Sequence, residues 1–360
     1  MLSQSNAALT APKPIPEIAA DVPHGRRRIV AVGGGTGLPT VLRGLRSAYG
    51  ASHDHLPDWL TAIVTVMDDG GSSGRLREQL GVLPPGDIRN CLAALVRQPS
   101  TLSRILHDRL PNQDGSLGHP IGNLLLAALT GSEGNFLRAI ATLGAQMNIT
   151  GRVLPATLES VHLTAAFEDG PDVRGETAIA ARRGRIRRLR LERPVRPVPD
   201  VVESLVNADL IVVGPGSLYT SLLPNLLVDG VAATISAVRA TRVYVANLMT
   251  QPGETEGYSL QDHLRVLREH TGFDLFDYVL VNRAPISPAA LAHYAADGAR
   301  LVELPNGLVD SGRSRIVTAD LAIHTPCGQI RHDPMALGFA LTALAGSRDA
   351  GARIKRTAVA

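Results

Sequence analysis

Asp68 and Asp69 stand side by side before Gly70-Gly71-Ser72-Ser73-Gly74-Arg75. Paired carboxylates, bare backbone, hydroxyls and a guanidinium in one run suit a magnesium ion and a phosphate. Ser72 or Ser73 also suits the cap of the helix that Arg75 begins. A second run, Gly33-Gly34-Gly35-Thr36-Gly37, directly precedes a helical pattern. Glycine there lets backbone N–H groups approach phosphate oxygens with a helix dipole behind them, although a plain strand-to-helix turn uses the same residues. The run is not the dinucleotide fingerprint, because Gly37 follows too soon and no ribose-binding acid is placed. Gly214-Pro215-Gly216-Ser217-Leu218-Tyr219-Thr220-Ser221 repeats the glycine-and-hydroxyl composition, as does the stretch from Thr250 and Gln251 to Tyr258. Together these loops exceed what turns require, and they converge most economically on one anionic, nucleotide-like ligand. Pro84-Pro85-Gly86 reads as a turn, with Asp87 as an N-cap and Arg89 in the first helical turn. His119 and Asn123, beside Gly118 and Gly122 at a helix start, offer a ligand hydrogen bond, an acid/base group or simple structural pairing.

The loops need a scaffold. Arg28–Val32 is a short apolar run before the first glycines, and Leu60–Val66 is another that ends at Met67-Asp68-Asp69. Ala208–Val213, Arg242–Ala246 and Tyr278–Asn282 continue the rhythm, while Asp87–Val96 and Asn123–Leu129 read as helices. The pattern predicts an α/β, Rossmann-like fold: a mainly parallel sheet with helices on both faces and the glycine loops at its carboxyl edge. Val161–Phe167 and Thr177–Leu191 read as strands of a small antiparallel β insertion around 160–196. Within it Thr177–Ala181 and Arg185–Leu191 form a hairpin through Arg182-Arg183-Gly184, and Pro194, Pro197 and Pro199 mark the exit. The expected organisation is a disordered tail over 1–25, a single domain over 26–345 and a frayed tail over 346–360.

Composition narrows the chemistry. The 360 residues are 44% hydrophobic and 19% charged, which supports a substantial core. No apolar run approaches the roughly 18 residues of a membrane span, and the first residues lack the apolar stretch of a signal peptide. With Cys91 and Cys327 alone, a Cys-rich zinc site is excluded and a reducing, cytoplasmic location is expected. Of 36 basic residues only Lys13 and Lys355 are lysines, which disfavours a core Schiff base and the phosphate loop that ends in G-K-[ST]. Arg182–Arg196 holds eight arginines against Glu192, a local +7 that leaves −4 for the rest of a chain of net charge +3. That segment reads as a solvated hairpin or an anionic contact surface, and it lacks the aromatics of a base-stacking platform.

Six motifs, RRRIVAVGGGTGLPTVLRGL, VTVMDDGGSSGRLR, PPGDIRNCLAAL, GHPIGNLLLAAL, GPGSLYTSLLPNLLV and VANLMTQPGETEGYSLQDH, occur in this order. From about Arg28 to Ala340 the chain resembles the bacterial gluconeogenesis factors, the YvcK branch of the YvcK/CofD-like family. The resemblance implies a cytoplasmic protein that binds UDP-sugars such as UDP-N-acetylglucosamine or UDP-glucose. It also implies support of cell shape and cell-wall precursor supply during gluconeogenic growth. The CofD branch transfers 2-phospholactate from a guanosine diphosphate-linked donor to a deazaflavin with magnesium, so the alternative implied is a magnesium-dependent phosphotransferase. On this chain Gly33–Gly37 and Asp68–Arg75 would surround the diphosphate, with Mg2+ at Asp68 and Asp69. Gly214–Ser221 would form a further wall, Asn247, Thr250, Gln251 and Tyr258 would lie near sugar or base, and Arg331 would contact phosphate. Some relatives carry a hydroxyl residue after the Arg331-His332-Asp333 of GQIRHDP, where this chain has Pro334. The expected partners are a UDP-sugar or another nucleoside diphosphate, a regulatory protein and a second copy of the chain. Neither membrane insertion nor nucleic acid is expected.

Overall fold

The computed structural model describes residues 13–14, 27–49, 59–111, 117–304, 310–311, 314–325 and 328–357. The strand Ile29–Gly33 is its pivot. Val30 and Val32 join Ile63, Ile211 and Val213 in one core, while Ile29 and Ala31 join Leu38, Leu60 and Val212 in the other. Alternate side chains enter opposite cores, so a strand covered on both faces has to be apolar throughout.

The central sheet runs in the order Lys13–Pro14, Ser314–Ala319, Tyr278–Asn282, Thr241–Val245, Leu210–Val213, Ile29–Gly33, Leu60–Val64, Arg152–Pro155. Every pairing along this path is parallel. Asp310–Ser311 adds one short antiparallel pairing to Ser314–Ala319. From Ile29–Gly33 the chain builds outward to Leu60–Val64 and Arg152–Pro155, then returns to Leu210–Val213 on the opposite side. The strand order therefore reverses between Ile29–Gly33 and Leu210–Val213, the position at which open α/β sheets form a crevice beyond their carboxyl ends.

The helix Gly37–Tyr49 crosses the helix Pro334–Thr357 glycine against glycine. A Cβ on Gly44 would lie 2.1 Å from the Pro334 carbonyl oxygen, and one on Gly338 would lie 2.1 Å from that of Gly44. The second helix continues to Thr357, within the tail over 346–360. Of the expected tail over 1–25, only 13–14 are described, and they pair at the sheet edge. The rest of that tail and 358–360 lie outside the described residues.

A three-stranded antiparallel sheet, Leu163–Phe167 between Val173–Arg174 and Ile186–Leu191, supplies the smaller β element. Thr177–Ala181 is not a strand of it but part of the helix Glu176–Arg182. The correction has two causes: alanine-rich sequence favours helix, and Asp69 accepts the first N–H groups of that helix from far along the chain. Three of the eight arginines in the arginine-rich run pair with carboxylates, and its one acid pairs with Arg174 from outside it. Arg174 pairs with Glu192, Arg182 with Asp169, Arg190 with Asp172 and Arg193 with Glu159. Arg182 also stacks 4.2 Å above the Phe167 ring. Solvated pairing thus accounts for three of the run's eight arginines.

Candidate functional site

At the switch point, backbone meets backbone. A Cβ on Gly37 would sit 2.0 Å from the Pro215 carbonyl oxygen, so only glycine allows the two loops to approach this closely. Asn247, just beyond the strand Thr241–Val245, clasps the second loop: its Oδ1 accepts from Gly216 N at 3.0 Å and its Nδ2 donates to Gly216 O at 2.8 Å. A cavity of about 540 Å³ opens above these loops. Gly34, Gly35, Thr36, Gly37, Gly216, Ser217, Asn247, Thr250, Gln251 and Arg331 all line it, so residues from four separate segments of the candidate set share one space. The volume falls within the range of small-molecule sites.

The far wall comes from elements the motifs did not mark. Tyr294 and His332 line it beside Arg331. Tyr294 accepts a hydrogen bond from Ile330 N at 3.0 Å, and Arg331 donates to Gln329 Oε1 at 2.8 Å. Thr250 is fixed by two bonds with Arg300: its N donates to the Arg300 carbonyl at 2.7 Å and its Oγ1 accepts from Arg300 N at 2.9 Å. Burial lowers His332 to about 4, so its ring is neutral near pH 7.

Other candidates lie elsewhere. Tyr219 and Tyr258 are buried, with their hydroxyls 3.0 Å apart, and they do not line the cavity. Gly33 and Gly214 also lie outside its lining. Ser217 caps the short helical turn that follows it by accepting from Thr220 N at 3.2 Å, as its sequence position suggests. Ser217 and Thr220 both donate to Glu254, a buried carboxylate whose pKa burial raises and which the motifs did not single out.

The acidic loop forms a second region. Asp68 Oδ1 accepts from Gly70 N at 2.8 Å, and burial raises this carboxyl. Asp69 accepts at 2.9 Å from each of Glu176 N, Thr177 N and Thr177 Oγ1, so both of its oxygens serve the helix Glu176–Arg182. In this geometry Asp69 holds the start of that helix. Among the described residues no group of three or more His, Cys, Asp or Glu side chains is placed to hold a metal ion.

Two capping expectations change. The helix Gly71–Leu80 starts after Gly70 with no side-chain cap, so neither Ser72 nor Ser73 caps it. Ser73 Oγ accepts from Gly86 N at 3.2 Å. Asp87 does not cap the helix Gly86–Leu95; its Oδ2 reaches Gly35 N at 2.6 Å and thereby joins the acidic region to the glycine loop. Ser72, His119 and Asn123 are joined in a network: Ser72 Oγ lies 2.8 Å from His119 Nδ1 and accepts from Asn123 Nδ2 at 3.0 Å. Arg75 is exposed one turn further on.

Residues 29–322 match the family model described as 2-phospho-L-lactate transferase CofD. The gluconeogenesis factor of Bacillus subtilis is 44% identical over 277 residues, 77% of this chain and 85% of that protein. The gluconeogenesis factor of Listeria monocytogenes is 41% identical over 318 residues, covering 88% and 95%. A crystal structure of a Bacillus halodurans protein superposes with a TM-score of 0.81 at 40% identity, covering 88% of this chain and 99% of that one. The fold, the order of the loops and these likenesses agree: the chain belongs to the CofD family, in its branch of YvcK-type gluconeogenesis factors.

Proposed function

We propose that the protein is a cytoplasmic sensor that binds a UDP-sugar, UDP-N-acetylglucosamine or UDP-glucose, and supports cell shape and cell-wall precursor supply during gluconeogenic growth through a regulatory protein partner. The observation that carries this reading is the single cavity lined by Gly34–Gly37, Gly216, Asn247, Thr250, Gln251 and Arg331. Glycine backbone and the start of the helix Gly37–Tyr49 suit a diphosphate, Arg331 adds a bidentate donor, and the amides of Asn247 and Gln251 suit sugar or base polar groups. Among the described residues no single helix is long and apolar enough to cross a membrane. Magnesium, if bound, would be held by Asp68 and would supply Lewis-acid chemistry.

A second reading, a phosphotransferase that uses a nucleoside diphosphate-linked donor, is favoured by the convergence of carboxylates. Asp68, Asp87 and Glu254 all act on Glu176, whose carboxyl is held well above its usual range by burial and by these neighbours. Calorimetric titration with UDP-N-acetylglucosamine, UDP-glucose and GDP, with and without magnesium, separates the two when released nucleotide is assayed in the same samples. Uridine-selective binding without turnover supports the sensor. Magnesium-dependent nucleotide release, or binding confined to GDP, supports the transferase. No binding to any of the three overturns both.

A further inference from the structure

We propose that Ser72 and His119 form a nucleophile–base couple directed at electrophilic phosphorus, distinct from the cavity at the switch point. The inference does not depend on what that cavity binds. The strand Leu60–Val64 leads through a short turn into the helix Gly71–Leu80, and Ser72 is the second residue of that helix. The turn reads Gly70-x-Ser72-x-Gly74, the spacing by which a strand-to-helix turn presents a serine hydroxyl. Both flanking features need glycine here: Gly71 has φ +49°, and a Cβ on Gly74 would lie 2.0 Å from the Asp69 carbonyl oxygen. The left-handed residue is Gly71 rather than the serine itself, so the turn is gentler than in a strained elbow.

Hydrogen-bond roles around Ser72 follow from donor counting. Arg89 has only donors, and its Nη1 lies 2.9 Å from Asn123 Oδ1, which fixes the amide with Nδ2 toward Ser72. Asn123 therefore donates to Ser72 Oγ, a bond that favours the ionised oxygen. With the imidazole in its Nε2–H tautomer, Ser72 Oγ donates its hydrogen to His119 Nδ1 at 2.8 Å. Burial, Arg75 and Arg109 lower the His119 pKa, which keeps the ring an acceptor near pH 7. The same cations favour the negative charge that builds on phosphoryl oxygens during attack. Ser73 is the internal contrast, since its Oγ accepts from Gly86 N and has no imidazole within hydrogen-bond reach.

In the step proposed, Ser72 Oγ attacks phosphorus as its proton passes to His119 Nδ1. The Oγ–P bond forms, and the bond from phosphorus to the leaving group breaks with the electron pair departing on that group. The test uses the full chain and a biotinylated fluorophosphonate, whose leaving group is fluoride, with adducts mapped by mass spectrometry. The expected result is an adduct on Ser72 of the folded protein, at least tenfold faster than on Ser73. His119→Gln should slow it tenfold or more, imidazole should restore part of the rate to His119→Ala, and the rate should fall as pH drops below the ordinary imidazole range. An absent Ser72 adduct, or a rate unchanged in His119→Gln, overturns the proposal. If these variants do not fold, the pH profile of the unaltered chain decides, and a flat profile overturns it.

Discussion

Asp87 Oδ2 accepts the backbone hydrogen of Gly35 at 2.6 Å, across 52 residues of sequence. The amide that a phosphate would use in the glycine loop is thus held by a carboxylate, and a Cβ on Gly34 would lie 2.7 Å from the same oxygen. Burial, the largest influence, raises the Asp87 carboxyl from 3.8 to about 6. Because the folded pKa is raised, its contribution to stability is complete below 3.8 and is lost as pH rises through about 6. A diphosphate beside Asp87 would favour its protonated form further. Affinity for UDP-N-acetylglucosamine is therefore expected to weaken as pH rises through this range, with proton uptake on binding. Asp87→Asn, which keeps an oxygen for Gly35, should flatten the dependence. Calorimetry in buffers of different ionisation enthalpy measures it, and an Asp87→Asn profile as steep as the original would remove Asp87 from the linkage.

Gly37→Ala tests the contact between the two glycine loops. The new methyl would meet the Pro215 carbonyl oxygen at 2.0 Å, so the loops have to separate. Overpacking of this kind costs about 1–3 kcal/mol, and the end of the cavity between the two glycine loops should widen. Binding of the UDP-sugar should fall at least tenfold while the circular dichroism spectrum stays native. Asn247→Ala removes both bonds to Gly216 and should weaken binding by a similar factor with a smaller loss of stability. Retained affinity in both variants would mean that the ligand lies away from this wall.

Much of the site's near wall was legible because it sits on local patterns. Ile29–Gly33 and Tyr278–Asn282 are apolar runs bounded by polar or glycine residues, and each reads as a buried strand from composition alone. Once the strands are parallel, their loops have to gather at one edge. What local pattern does not hold is the long-range partner. Thr177–Ala181 carries β-branched Thr and Ile amid alanines, and the choice of helix is reinforced by Asp69, 107 residues before Glu176. Asp87 looked like a cap because its position suits one, yet its partner lies in another loop. Tyr294 and His332 reach the cavity only through tertiary folding, and neither sits in a glycine-rich motif.

His270 secures the free edge of the antiparallel sheet. Its Nε2 accepts from Leu189 N at 2.9 Å while its Nδ1 lies 2.8 Å from the Val266 carbonyl, which requires the neutral Nδ1–H tautomer. Burial lowers its pKa from 6.5. A lowered histidine contributes stability above 6.5 that is lost as pH falls through the folded value, because the unfolded chain takes up the proton first. His332, at about 4, acts with the same sign. His270→Ala leaves the Leu189 N–H without its acceptor and should cost about 1–3 kcal/mol near pH 8. Urea unfolding at several pH values should also show a shallower loss of stability on acidification than in the parent. Equal slopes would exclude His270 as a source of the acid sensitivity.

Arg242 and Asp277 tie the start of one central strand to the start of the next. The Arg242 side chain is 2% exposed, and its Nη2 and Nε reach the two Asp277 oxygens at 2.7 and 3.1 Å. Arg242 N adds a third bond to Asp277 at 3.0 Å, and Nη1 donates to the Ser236 carbonyl at 2.9 Å. A buried pair is most costly when halved, because the remaining charge keeps its desolvation penalty without its counter-ion. Asp277→Ala is therefore expected to destabilise by about 3–5 kcal/mol, whereas Arg242→Met combined with Asp277→Leu should cost less than Asp277→Ala alone. Denaturant unfolding of the single and double variants measures the difference. A double variant at least as unstable as Asp277→Ala would show that the backbone bonds to Asp277, rather than the ion pair, set the register of these strands.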